Sequence, residues 1–259
     1  MVIKGNKTGI SGTDYTSSPI KPVGKGWMCA KVSEGCTNCY AEALNMRYGN
    51  RQAFNSVNLK NTAFRIDENE IKRLMKAPAG SKIFLQDMTD IFNESIPFEF
   101  VDRVMGVAAQ RPDVTFQILT KRTERAMDYL ERSKRFIPLP ENVWFGASVE
   151  RAKHKYRIAD LNHGISAAVK FVSFEPLLGD IGVVPFSFID WIIIGGESGP
   201  QHRPMKIEWA RNLIRQAKEQ GVAVWMKQLG GIRPGGELED FPEDLRIREF
   251  PEYEEGAVK

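Results

Sequence analysis

Cys29, Cys36 and Cys39 are the only cysteines in 259 residues, and all three fall within eleven consecutive positions. A disulfide framework calls for an even number spread along the chain, so an odd, clustered set points to metal or redox chemistry. The pattern is Cys-x6-Cys-x2-Cys. The close pair offers two thiolates from one turn, and Cys29 can return to them over the intervening loop. Three chemistries fit. A structural zinc needs four ligands, and the three histidines, His154, His163 and His202, are all distant in sequence. A redox pair would use Cys36 and Cys39 and leave Cys29 idle. A 4Fe–4S cluster on three soft thiolates leaves one iron open to a substrate or cofactor. The spacing ranks the cluster first, zinc second and redox last, and leaves all three open.

A second set of candidates follows the apolar runs. Residues 82–86, 114–119, 142–148, 169–174, 190–194 and 222–226 read as buried strands, with a seventh near residues 8–16. Helical patterns occupy 40–47, 67–76, 123–133, 151–161 and 207–220. Another opens at Pro97 and carries Val101, Val104, Met105 and Ala108 on one face. Residues 49–65 read as polar and irregular. Strands alternating with helices imply β-α-β units and a parallel sheet. The expected fold is therefore α/β, a complete or partial parallel (β/α) barrel, with a doubly wound open sheet as the alternative. No Gly-x-Gly-x-x-Gly follows a strand, which argues against a dinucleotide fold.

In parallel α/β folds the carboxyl ends of the strands form the active face. Those positions hold Gln86, Asp87 and Asp90; Thr120, Lys121 and Arg122; Ser148 and Glu150; Glu175; Gly195, Gly196, Glu197 and Ser198; and Lys227 and Gln228. Taken singly, Thr120, Ser148 or Asp90 reads equally well as a helix cap. Glu175 resists that reading, because it follows a long apolar strand and precedes Pro176. Lys121 and Lys227 at buried strand ends each need an anionic partner. The glycine run either makes a tight turn or brings its backbone against a ligand as an anion-binding nest.

The charge is uneven. Glu237 to Lys259 holds nine acids and three bases, whereas residues 1–236 hold 33 bases and 24 acids. The chain divides on this basis into a barrel, 1–235, and an acidic C-terminal extension, 236–259. A basic body suits a polyanion as well as plain solubility. No apolar run nears the roughly 18 residues that span a bilayer, and residues 1–7 lack a signal-peptide core. These features predict a cytoplasmic protein with no membrane contact.

The segment Cys29-Ala30-Lys31-Val32-Ser33-Glu34-Gly35-Cys36-Thr37-Asn38-Cys39-Tyr40-Ala41-Glu42 resembles the opening of the phage-associated three-cysteine-motif proteins, a family of uncharacterised, radical-SAM-like proteins. The resemblance continues through 143–150, Phe174-Glu175-Pro176-Leu177-Leu178-Gly179, 190–199 and Met226-Lys227-Gln228-Leu229-Gly230. It implies a barrel of the radical-SAM/TIM-barrel type, placed in a host cytoplasm if phage-encoded. It also implies a 4Fe–4S cluster on Cys29, Cys36 and Cys39, S-adenosylmethionine on the open iron, and an external electron donor. Gly195, Gly196, Glu197 and Ser198, with Arg122 and Ser148, are then candidates for holding the cofactor. Asp87, Asp90, Lys121, Glu175 and Lys227 are candidate catalytic contacts or proton carriers. A nucleotide or nucleic-acid base is the expected substrate. The chain departs from the usual radical-SAM spacing, Cys-x3-Cys-x2-Cys, in its first gap, and Asn38 stands where an aromatic usually precedes the third cysteine. The alternative is a non-catalytic module, stapled by zinc or a cluster, that binds nucleic acid or a protein.

Overall fold

The computed structural model describes residues 8–133, 139–233 and 238–252. Its strands are β1 (Tyr15–Ser17), β2 (Ile20–Pro22), β3 (Phe64–Ile66), β4 (Lys82–Leu85), β5 (Thr115–Thr120), β6 (Val143–Ser148), β7 (Val169–Phe174), β8 (Trp191–Gly195) and β9 (Ala223–Gln228). Its helices are α1 (Tyr40–Tyr48), α2 (Ser56–Lys60), α3 (Glu68–Leu74), α4 (Phe98–Gln110), α5 (Thr123–Ser133), α6 (Tyr156–Gly164) and α7 (Ile207–Glu219). Seven strands form one parallel sheet in the order β1-β4-β5-β6-β7-β8-β9. Apart from the β2–β3 pair, each strand joins the growing edge in chain order. A doubly wound sheet reverses its strand order, so that alternative is excluded, and the sheet is a partial parallel barrel.

Three local expectations need correction. The seventh strand, β1, lies at the end of the expected stretch rather than across it. Residues 49–65 are not wholly irregular: they contain α2, and β3 pairs antiparallel with β2, setting Ile20 opposite Ile66. The link between β7 and β8 contains no helix, so the β-α alternation breaks once.

Strand periodicity divides the side chains. One face carries Ile83, Leu85, Phe116, Ile118, Phe145, Val172, Ile192 and Val224. These pack with Val101, Val104, Met105 and Ala108 of α4 and Ala210, Leu213, Ile214 and Ala217 of α7. The other, inner face is aromatic at the strand starts. There Trp191 makes edge contacts with Trp144 and Trp225, at 5.9 and 6.1 Å between ring centroids. Phe171 joins them because its register partner is Gly146, where a Cβ would lie 2.4 Å from the Phe171 ring. Further along, the inner face becomes polar at Ser148, Ser173 and Lys227, while Leu119 and Ile193 still pack on the aromatic cluster.

The C-terminal segment is not a detached extension. Met226 N–H donates to Ile247 O and Glu249 N–H to Val224 O, so the segment runs antiparallel along β9 and covers that edge. Phe241 and Leu245 are buried in the main core, and Phe250 lies 4.7 Å from Trp225. Residues 253–259, the end of the expected acidic extension, lie outside the described residues.

Gly146→Ala should force Phe171 or the strand to move and destabilise the protein by about 1–3 kcal/mol. A denaturant midpoint equal to that of the parent would contradict this packing.

Candidate functional site

The segment from Met28 to Cys39 crosses the carboxyl ends of the strands and is pinned there by buried charges. Glu150, just after β6, is 0% exposed. Its carboxylate accepts from Ser33 Oγ and from Arg157 at 3.0 Å, and lies 3.6 Å from Lys121 Nζ. Gly35 is pressed against it, since a Cβ there would sit 2.4 Å from Glu150 Oε1. Glu197, after β8, is a second peg. It accepts from Asn38 Nδ2 at 2.9 Å and from the backbone and side chain of Arg203, which also donates to Glu34 O. Arg122, after β5, is a third. It donates to Ala30 O at 2.9 Å, pairs with Asp90 and Glu94, and approaches Cys29 Sγ at 3.8 Å. Glu34 adds an outer tie to His154 and Lys153. Cys39 caps α1, whose first residue, Tyr40, donates its hydroxyl to Asp87 O.

All three thiols are half-buried and unpaired by disulfides. Cys29 and Cys39 pack beside Met28, Ala30, Ala41, Phe54, Leu59 and Met88. Burial pushes the Cys29 thiol up to about 11, although Arg122 pulls the other way. Burial also raises Cys39. Burial alone would lower Lys121, but Glu150 and the nearby Cys36 and Cys39 outweigh it and hold its ammonium above the ordinary value. Burial works against Glu150 too, yet Lys121, Ser33 and Arg157 keep it below the usual carboxylate range. Cations thus stand against the thiols, where a thiolate or an anionic metal centre would need them. Among the described residues, no three His, Cys, Asp or Glu side chains converge on the position of a single metal ion.

The candidates from the sequence separate into two groups. Asp90, Arg122, Glu197 and, in part, Lys121 are engaged in seating the cysteine segment or the loops beneath it. Asp90 accepts from Thr120 Oγ1, Lys121 N and Arg122. The glycine run does not form an open anion nest. Gly196 N–H donates to Gln228 O and Gly199 N–H to Gly231 O, so the turn is stitched to the end of β9 and the chain that follows it. Ser198 bridges to Gly231 in the same way. Gly196 is needed for that closeness, because a Cβ would lie 2.2 Å from Leu229 O. Ser148 is buried on the inner face, and its carbonyl accepts from Arg157.

The second group stays reachable from the mouth. Lys227 Nζ meets Glu175 Oε2 at 2.8 Å, with both side chains about one-fifth exposed. Glu175 lies over Gly195, whose missing side chain leaves it room. Asp87 accepts from Ser18 Oγ at 2.8 Å, and burial raises its carboxyl above the usual range. Tyr40 keeps nearly half its surface open. Its hydroxyl end is sunk, and burial, with Asp87, Cys39 and Glu175 around it, raises the phenol well above its ordinary value. A surface cleft lined by Thr13, Asp14 and Ser81 lies at the strand starts, away from the cysteines.

Glu150, Arg157, Ser33, Asn38 and Arg203 have clearer roles here than their local sequence gave them. The signal for Glu150 was its place two residues past β6. Asn38 and Ser33 carried none, since their partners are 159 and 117 residues away.

Over residues 7–246 the chain matches the family described as Protein of unknown function (DUF5131), and it belongs to that family. No match is found among curated proteins or among solved structures. Among the described residues, no helix is long and apolar enough to cross a membrane.

Alkylation of metal-free protein checks the environment of the thiols. A thiol raised from 9.0 to about 11 carries roughly 100-fold less thiolate at pH 8. Cys29 should therefore react with iodoacetamide about 100-fold more slowly than an unburied cysteine. Its rate should rise about tenfold per pH unit up to pH 10. Peptide mass spectrometry showing Cys29 as fast as free cysteine would contradict its burial.

Proposed function

We propose that this chain holds a 4Fe–4S cluster on Cys29, Cys36 and Cys39 and works as a radical-SAM-like enzyme. The observation that carries the reading is the seating of all three thiols on one segment across the strand ends of a partial parallel barrel, with Lys121 and Arg122 beside them. A cubane gives each thiolate its own iron, so its ligands need not converge on one point as those of a tetrahedral zinc must. The cations offset the negative charge that such a cluster carries. Because burial keeps Cys29 protonated, loading must release its proton, and assembly is favoured by alkaline pH.

A cluster held by Cys29, Cys36 and Cys39 would pass one electron from an external donor to S-adenosylmethionine, the chemistry that splits it into methionine and a 5′-deoxyadenosyl group able to take hydrogen from a substrate. The chain's own residues bind and orient. Lys227 would meet the cofactor's carboxylate, and Glu175 would accept from its amino group, the ion pair loosening to take both. Asp87, protonated more readily than an ordinary carboxylate, can donate or take a proton at its carboxyl oxygens. The aromatic plug of Trp144, Phe171, Trp191 and Trp225 closes the far end of the barrel against water.

The reading as a non-catalytic stapled module has one observation in its favour: Glu150, Glu197, Arg122 and Arg203 all serve to seat the segment.

Anaerobic reconstitution separates the two. The enzyme reading predicts four irons and four sulfides per chain and their loss in each of Cys29→Ala, Cys36→Ala and Cys39→Ala. It also predicts 5′-deoxyadenosine on reduction with S-adenosylmethionine. Stoichiometric zinc without iron, or a full cluster in Cys29→Ala, would overturn it.

A further inference from the structure

The helix that leaves the cysteines presents an uncovered aromatic face. α1 carries Tyr40, Ala43, Leu44, Arg47 and Tyr48 at the i, i+3, i+4, i+7 and i+8 positions of one stripe. Tyr40 is 47% exposed, Leu44 39% and Tyr48 54%. A helix that uses its apolar side for the core hides that stripe. Here the buried residues, Ala41 and Asn45, form the neighbouring strip of the helix, and the Tyr40–Leu44–Tyr48 row beside it is left exposed. The stripe begins beside Cys39 and extends away from the mouth for about 12 Å, at the helical rise of 1.5 Å per residue.

Its surroundings are cationic, for a structural reason. Asn45, fully buried, accepts from Trp27 N at 2.9 Å and donates to Asn50 Oδ1 at 2.7 Å and Gln52 O at 2.9 Å. That hub folds the Gly24–Trp27 loop and the Asn50–Gln52 turn against the end of α1. Gly26 is pressed against Gly49 and Asn50, and Arg51 N–H donates to Asn45 O, so Lys25 and Arg51 stand on the chain folded against the C-terminal end of α1, the end that carries Arg47 and Tyr48. All three cations are exposed, and none has an acidic partner among the described residues. The one acid of the helix, Glu42, is held by Lys31 at 2.7 Å and by Phe54 N–H. The Arg47 guanidinium and the Tyr48 ring lie 5.0 Å apart, a planar cation beside a planar ring.

We infer that the exposed stripe Tyr40–Leu44–Tyr48 of α1, flanked by Lys25, Arg47 and Arg51, binds single-stranded nucleic acid and leads it to the mouth. Aromatic faces on a cationic track are what unpaired bases and their phosphates require: the rings stack the bases without reading them, and the cations meet the backbone. An apolar protein surface would leave the three cations uncompensated, whereas a nucleic-acid backbone brings a phosphate for each. Tyr40 is the inner end of the track. Its hydroxyl is tied to Asp87 O while its ring stays open, so it offers a fixed stacking face between the strand of nucleic acid and the cysteines. This names the substrate class of the enzyme proposed above and rests on that reading for the reaction, though not for binding.

Fluorescence anisotropy with labelled 15-nucleotide single strands, one of DNA and one of RNA, on the reconstituted full chain tests it. Binding should weaken steeply with salt, and should be tighter for a single strand than for a duplex of equal length. Tyr48→Ala should weaken it at least about fivefold and Tyr48→Trp restore it. Arg47→Glu should weaken it and flatten the salt dependence, with iron content unchanged in all three variants. Binding unaffected by Tyr48→Ala and Arg47→Glu, or no binding at low salt, would sink the inference. So would a dimer in sedimentation that Leu44→Glu splits, because a second copy would then cover the stripe. Formation of 5′-deoxyadenosine without oligonucleotide binding would remove this inference alone. Tyr48-dependent binding without any 5′-deoxyadenosine would remove the enzyme reading alone.

Discussion

A carboxylate that water cannot reach must be answered by cations and donors, and the buried Glu150 is answered from two directions. Lys121 and Arg157 come from the barrel, while Ser33 comes from the cysteine segment and Gly35 packs against it. Leaving such a charge unpaired costs about 3–5 kcal/mol. The segment therefore has a strong reason to lie where it does, and Gly35 is the residue that lets it come close enough. Glu197 repeats the device one strand pair further on, through Asn38 and Arg203. The three cysteines are carried into place between these pegs by a segment with little regular structure of its own, only the single turn Glu34–Cys36.

This arrangement also divides the work at the strand ends. Carboxylates and guanidiniums nearest the segment are engaged in holding it. Groups further round the mouth, Glu175 and Lys227 above all, face open space and one another. An ion pair at such a position can loosen to meet the polar groups of an incoming ligand. The inner face supports the same division: aromatic residues pack together at the strand starts, and the polar groups lie towards the end where the cysteines are.

The framework was legible because its strands are apolar runs with few alternatives. Trp191 to Ile194 can hardly be exposed, and the strand ends that follow such runs placed Asp87, Lys121, Glu175 and Lys227 at the mouth. The cysteines were legible because they are scarce and clustered. The β2–β3 pair was not, since Ile20–Pro22 and Phe64–Ile66 are short and separated by more than forty residues of polar chain. Nor was the packing of 238–252, where an acidic composition concealed Phe241 and Leu245. In the glycine run after β8, Gly195 and Gly196 allow close approach, and the protein groups that approach are Glu175 on one side and the Leu229 backbone on the other. Composition reveals that something comes near a glycine, and only the fold reveals what.

The account turns on three thiolates holding three irons of four. Mössbauer spectra of protein reconstituted with ⁵⁷Fe, recorded with and without S-adenosylmethionine, test it most directly. The predicted result is a cubane spectrum in which one iron of the four, the one without a cysteine, changes its isomer shift when the cofactor is added. Four irons that remain equivalent and unmoved by the cofactor, or a chain that takes up no cubane at all, would contradict it.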